Sequence, residues 1–576
     1  MDMKDIYQGI KQKHGPGAGD GRFERAVYAL YGEFKEAYRA EWDRLEQCEQ
    51  MYQGKHWEGV ALEDPNEPRP TMPVIFSTVE NIKADLTDEF PEAVIRPEGP
   101  ADEILAKTLT QVVAQTLEAG DYDAEYDKGS HDILVGGYKI EEVGWDATLN
   151  FGYGGAFIRH QSNENVLFDP LCAHIQDGRA VFKLDRLPKA WFEQHYPQHF
   201  PHMRADAETL PPDHGDHGVV EARDKAGHMV LLEAWFRVFD PETGKHAVHM
   251  VKLAGGQVLE NSYHEKPEGY FLHGLYPFVV TPLYGIKGSP LGLGVVDMFA
   301  NAQKYADKID QVILKNAITA GRSRMLVQAG AADLTDLADF GKEVVEVENI
   351  GGINWLQDKP LPSYILSYML NTRQAIKEES GSNDFSRGNA TGGVTAASAI
   401  TALQEMSGKR SRMEVRRAHY GFKQAVRMLV EVMREFEAVD REVDITVGGR
   451  PLKVIANKLM YKTIQGQALP IEFQISIKPV RETRFTKMAN NELVLQFCSM
   501  FQGQLDPVIL MEAMEFAGQE VVLEKLRAAQ GKGAAILQAQ LAELQGAVEG
   551  LQAENQQYRA AMAEMQNGLL RAPGTS

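Results

Sequence analysis

"GSNDFSRGNATGGVTAASAITALQE" (Gly381–Glu405) places a run of small, polar and glycine residues between two helix-like segments. Before it, "SYILSYMLNTRQAIKEES" (Ser363–Ser380) lacks proline and reads as one helix. After it, helical sequence starts at about Ala396 and continues to Val439, with Phe422, Val426, Leu429, Met433 and Phe436 stepping by four and three. A disordered linker, a phosphate cradle and a loop that slides against a smooth partner share this composition. The linker reading is weak because helices flank the run closely. The cradle reading fails because no glycine-rich run here ends in Lys-Ser or Lys-Thr. A yielding loop remains, with Arg387 its lone fixed cation between residues 381 and 400.

Upstream, "LGLGVVDMFANAQKYADKIDQVILKNAITAGRSRM" (Leu291–Met325) carries one apolar stripe: Val295, Phe299, Ala302, Tyr305, Ile309 and Val312. Asp307, Lys308, Asp310 and Lys315 cover the rest. Between the two helices "EVVEVENIGGINWL" (Glu343–Leu356) predicts a hairpin. From Asp132 to Pro282 short alternating runs punctuated by Gly, Pro and Asp predict a mainly antiparallel β region. Helices are expected at Phe23–Trp57, Val74–Phe90 and about 101–119, a second β segment at 443–479, and helices again at 487–527. Leu537, Leu541, Leu544, Val548, Leu551, Asn555, Tyr558, Met562 and Met565 then form a heptad seam. Its outer positions are rich in Gln and Ala, which favours several like helices side by side.

With 576 residues, 44% of them hydrophobic and 24% charged, the chain has an ordinary globular composition and length for several structural units. A net charge of −21 argues against a protein that grips nucleic acid over its whole surface. Cys48, Cys172 and Cys498 have no metal-like spacing, and reduced thiols are expected. The N-terminus lacks the apolar core of a signal peptide, and no window approaches a membrane span. The expected setting is cytoplasm, or something assembled there.

Few motifs carry chemistry. "LGLGVVD" (Leu291–Asp297) lacks the third glycine of a dinucleotide site and reads as a helix start built from small residues. "PPDHGDHG" (Pro211–Gly218) sets His214 and His217 beside Asp213 and Asp216, near His195, His199 and His202. Flanking prolines make it a solvated loop rather than a metal site. Glu141 and Glu142 have no nucleophile or partner His, so neither an enzyme nor a cofactor is expected. Lys409, Arg410, Arg412, Arg416, Arg417, Lys423 and Arg427, with Glu414 the only carboxylate among them, need a partner in so acidic a chain. Ion pairs to a neighbouring subunit and contact with phosphate both remain open.

The order of elements resembles the P22-like portal proteins of bacteriophages. The residues that carry the likeness are "DILVGGYKIEEVGWDA" (Asp132–Ala147), then "NENVLFDPLCAHIQDGRAVFKLDRLPKAWFEQHYP" (Asn163–Pro197) with its Asp169–Pro170 turn and Asp177 and Asp185, and "FSRGNATGGVTAASAITALQE" (Phe385–Glu405). The resemblance implies an α+β portal fold. Its parts would be a flexible N-terminal arm (1–22), a wing (23–290), paired stem helices (291–321 and 362–382) and a small α/β clip (322–361). A channel loop (383–397), a long wing-spanning helix with a returning β segment (398–486), a helical crown (487–530) and a C-terminal coiled-coil or barrel helix (531–576) would follow. It implies a homo-oligomeric ring of twelve subunits at one capsid vertex of the virion, assembled in the bacterial cytoplasm. Double-stranded viral DNA would pass through it for packaging and ejection. Terminase large subunit, a tail adaptor and major capsid or scaffold proteins would be its partners, with no membrane. Ser386, Arg387, Asn389, Thr391, Val394 and Thr395 would face the DNA. The rival readings are an oligomeric coiled-coil scaffold or adaptor without DNA passage, and an enzyme using the His195–His217 region.

Overall fold

The computed structural model describes residues 3–15, 21–61, 67–88, 90–96, 103–203, 227–240, 244–321, 324–339, 341–356, 362–379, 409–436, 442–447, 450–455, 461–464, 467–470, 474–479, 494 and 514. The chain divides into two compact units, Met1–Val480 and Arg481–Ser576. The residues expected to form a helical crown (487–530) and the heptad seam (537–565) belong to the second unit, and apart from 494 and 514 they lie outside the described residues.

Apolar residues three and four apart bury one face of α2 (Arg22–Tyr52): Phe23, Val27, Leu30, Phe34, Tyr38, Trp42 and Leu45 all lie in the core. Ahead of it, α1 (Met3–Ile10) seats Ile6 and Ile10 fully in the same core, and Asn261 Nδ2 donates to the Ile10 carbonyl at 2.8 Å. The segment expected to be a flexible arm is therefore ordered through residue 10, because two isoleucines four apart give even an eight-residue helix a face to bury. Then come α3 (Val74–Asp88), β1 (Pro91–Arg96) and α4 (Glu103–Ala119).

Next is α5 (Tyr122–Val135), a helix where the β region was expected to begin. β2 (Tyr138–Asp146), buried on both faces over most of its length, pairs with β3 (Gly155–Gln161) and β9 (Phe278–Pro282) in a three-stranded antiparallel sheet. Glu142 faces Arg159 on one side and Phe278 on the other. A five-stranded antiparallel sheet runs β4 (Val166–Phe168), β5 (Ala180–Pro188), β6 (His228–Asp240), β7 (Lys245–Ala254), β8 (Gln257–Asn261), in sequence order. The short α6 (Lys189–His195) follows β5. The Asp169–Pro170 turn has a structural role: Asp169 accepts from Arg179 Nε at 2.7 Å and from the backbone N–H groups of Leu171 and Arg179. Among the described residues, the mainly β character expected for 132–282 begins at Tyr138.

After β9, the two-residue strands β10 (Tyr284–Gly285) and β11 (Gly292–Leu293) pair and lead into α7 (Val295–Gly321). β12 (Arg324–Val327) pairs with β13 (Ile353–Leu356), and α8 (Leu334–Ala338) lies between them. The hairpin expected within Glu343–Leu356 does not form, since its apolar second half pairs with β12 instead. Then come α9 (Ser363–Glu379), α10 (Lys409–Ala418) and α11 (Tyr420–Phe436). The final strands are β14 (Glu442–Val447) with β15 (Arg450–Ile455), β16 (Tyr461–Ile464) with β17 (Gln467–Pro470), and β18 (Gln474–Pro479), which pairs with β1.

Candidate functional site

Glycine fixes where α7 starts. Gly137, with φ +94°, lies so close to the β11–α7 junction that an added Cβ would sit 2.5 Å from the Gly292 carbonyl oxygen. A Cβ on Gly294 would sit 2.6 Å from the carbonyl oxygens of Leu134 and Val135. The "LGLG" run is thus one side of a backbone crossing whose other side is the Gly136–Gly137 pair, as its reading as a small-residue helix start implied. Asp297 caps the new helix by accepting from the Gly294 N–H at 2.7 Å. Its carboxylate also takes Arg44 Nη1 of α2 at 2.5 Å, while Arg44 Nη2 donates to the Gly136 carbonyl at 2.7 Å. One guanidinium therefore joins α2, the α5–β2 turn and the start of α7.

A second anchor lies further along the helix. His56 Nδ1 and Asp307 Oδ2 are 2.5 Å apart with both side chains buried, and Gln303 Nε2 bridges from Asp307 Oδ1 at 2.9 Å to the Met72 carbonyl at 2.7 Å. Beyond this point α7 leaves the core. Of the expected stripe, Val295 and Phe299 are buried, Ala302 and Ile309 are half-buried, Val312 is exposed, and Tyr305, level with the anchor, is already 68% exposed. α9 packs against α7, with Arg373 Nη2 on Asp310 Oδ2 at 2.5 Å. It shows the same outward display: Tyr364 is 70% exposed, and Leu366, Tyr368 and Leu370 are exposed with it. These are exposed apolar side chains on a pair of packed helices.

The seven basic residues of the second long segment divide by environment. Lys409 and Arg410 open α10. Arg412, Arg416, Lys423 and Arg427 are exposed. Arg417 is half-buried, its guanidinium 5.2 Å from the centre of the Tyr284 ring, and the Tyr284 hydroxyl donates to buried Glu414. A one-residue break at His419 separates α10 from α11, though the His419 N–H still reaches the Val415 carbonyl at 3.1 Å. Gly421, just past the break, touches β9, where an added Cβ would lie 1.8 Å from Thr281 Oγ1. Around the break, the Tyr126 hydroxyl meets His419 Nε2 at 2.9 Å. Lys139 Nζ and the Tyr122 hydroxyl both donate to Glu141 Oε1, at 2.9 Å and 2.6 Å. Glu141, weighed as one of an acidic pair, is thus a buried partner of Lys139. Glu142 holds Lys183 at 3.0 Å, which also assigns it to packing.

Burial lowers the pKa of His249, His273 and His419 from 6.5 to about 4. The folded chain holds these rings neutral while the unfolded chain protonates them below about pH 6.5. Their contribution is therefore complete above that pH and lost as pH falls toward 4. Thermal melts should show a lower midpoint at about pH 5 than at about pH 7.5, and His273→Phe should flatten the dependence. Equal slopes for the variant and the parent would dismiss this contribution.

The expected channel-loop residues Ser386, Arg387, Asn389, Thr391, Val394 and Thr395 lie outside the described residues, as do His214, His217 and Cys498. His195 stacks on Trp191 at 4.2 Å and accepts a local role. Among the described residues no group of three or more His, Cys, Asp or Glu side chains is placed to hold a metal, and no helix is long and apolar enough to cross a membrane. Sequence reasoning missed Arg44, His56, Tyr284 and the buried role of Glu414, because each acts through a partner far away in the chain. No curated protein matches the chain. A family model described as phage P22-like portal protein matches residues 31–572.

Proposed function

The chain belongs to the phage P22-like portal protein family, and from that premise we propose that its copies close into a dodecameric ring at one capsid vertex, the conduit for viral DNA during packaging and ejection. The single observation that supports ring closure is the outward apolar face of α7 and α9, above all Tyr305, Val312, Tyr364 and Tyr368. A helix pair whose stripe starts in the core and ends with exposed apolar side chains fits lateral packing against the next subunit. Such a heterologous contact closes when its rotation divides the circle. In this reading α7 and α9 are the stem, residues 322–361 the clip that docks terminase and later the tail adaptor, and residues 383–397 the loop against the DNA. The chain itself acts as a passive conduit without catalytic residues, and the ATPase resides in terminase. Its charge of −21 suits that role: each phosphate neutralised by a channel wall adds affinity, and affinity along a track is friction.

Electron microscopy of the purified protein viewed end-on tests the proposal, with closed rings around a central channel as the expected image. Mass measurement gives the subunit count. A dimer or trimer held by residues 537–565 would replace the conduit with the coiled-coil scaffold reading.

A further inference from the structure

Four exposed cations of α10 and α11, Arg412, Arg416, Lys423 and Arg427, occupy positions i, i+4, i+11 and i+15. At 3.6 residues per turn those positions share one narrow face, and the one-residue break at His419 keeps its backbone bond to Val415. Tyr420 is 62% exposed on the same side, between Arg416 and Lys423. Among the described residues Arg416, Lys423 and Arg427 have no hydrogen-bond or carboxylate partner. The carboxylates of these two helices are occupied elsewhere: Glu414 is buried on Tyr284, Glu431 pairs with Arg434, and Glu435 pairs with Lys266. From Arg416 to Arg427 the face therefore carries one sign of charge over a rise of about 16 Å, in a chain whose net charge is −21. Arg417 stands apart from it, turned onto the Tyr284 ring.

We propose that this face is a phosphate-contact surface for double-stranded DNA, an inference that rests on the conduit reading above. Complementarity of charge carries it. A run of about 16 Å lies alongside about five phosphates of one strand at 3.4 Å each, and cations at turn-related spacing can meet alternate ones. Exposed guanidinium and ammonium groups on a helix contact phosphate without reading bases, which is what a conduit indifferent to sequence requires. Tyr420 adds a hydroxyl donor between the two basic pairs. Three unpaired cations per subunit give a weak, salt-sensitive hold, which a moving duplex can leave.

The test uses full-length wild-type protein, the triple variant Arg416→Gln/Lys423→Gln/Arg427→Gln, and the single variant Lys423→Gln. Oligomeric state is measured first, then binding of a labelled random-sequence duplex across a salt series. The expected result is unchanged assembly with weaker binding. The slope of log affinity against log salt should become shallower by about 2.7 in the triple variant and about 0.9 in the single variant, for each subunit lying against the duplex. Wild-type rings that bind no duplex, or variant rings with an unchanged slope, overturn the proposal and leave the conduit reading standing. Loss of rings in both variants while the wild type assembles assigns the face to a neighbouring subunit and likewise overturns it. A wild-type chain that forms no ring removes the conduit reading itself.

Discussion

Asp307→Ala is expected to destabilise the folded chain by about 2–3 kcal/mol, the cost of leaving a buried hydrogen-bonding partner unsatisfied. The carboxylate has contacts on two sides: His56 Nδ1 at 2.5 Å and Gln303 Nε2 at 2.9 Å. Without it the imidazole keeps the Met51 carbonyl, at 3.0 Å from Nε2, while its buried Nδ1 loses the carboxylate. The double substitution His56→Leu/Asp307→Leu should recover much of the loss, because apolar groups of similar shape replace a buried hydrogen-bonded pair at little cost. Urea midpoints of the two single variants and the double variant form a cycle that isolates the pair. A loss below about 1 kcal/mol for Asp307→Ala would mean that the pair contributes little to holding α7. Because this pair, like the Arg44–Asp297 pair, ties α7 to the α2 region, the variant should also weaken assembly.

Gly137→Ala should be more severe, for a different reason. At φ +94° the backbone already disfavours any side chain, and the new Cβ would meet the Gly292 carbonyl oxygen and the Leu293 carbonyl carbon at 2.5 Å. Those atoms belong to backbone, so nothing flexible can swing aside, and the β11–α7 junction must shift bodily. A loss of about 4 kcal/mol or more, read as little soluble protein or a sharply lowered melting midpoint, is expected. Gly288→Ala is the matched control: its φ is +79°, yet nothing lies within 4 Å of the added atom. That change should cost only the strain of a left-handed residue, about 1–2 kcal/mol. Equal losses for the two variants would show that conformation, not the crossing, governs Gly137.

What the sequence showed was what neighbours in the chain determine. The periodic spacing of Phe23, Val27, Leu30 and Phe34 announced α2, and that of Val295 to Val312 announced α7, since a helix face repeats within a few residues. It could not show that the α7 stripe is buried at one end and bare at the other, because that depends on how far α2 and α3 extend beside it. α5 escaped notice because "YDAEYDKGSHDILV" mixes tyrosines and charges without a clean stripe, and its tyrosines are buried through contacts with Phe90 and Phe422. The strand Ile353–Leu356 was recognisable, but its partner at Arg324–Val327 lies beyond local pattern. At the candidate site the excess of cations between 409 and 427 was plain. Sorting Arg417 from Arg416 required Tyr284 in place, 133 residues away by the numbering of the chain.

The pairing of β1 with β18 has a consequence for synthesis. Arg96 Nε donates to Ser476 Oγ across 380 residues of chain, within a ladder that runs from Pro91↔Pro479 to Arg96↔Gln474. A ribosome adding roughly 5–20 residues per second needs about 20–75 seconds to cover that distance. Throughout that interval α4 and the sheets around it can fold, while one edge of β1 presents unpaired N–H and C=O groups. The first unit of the subunit is therefore completed only when translation has passed its last strand. A nascent chain still lacking β18 is an unfinished building block, which sets a natural delay between the appearance of the first helices and the earliest moment at which neighbours can join.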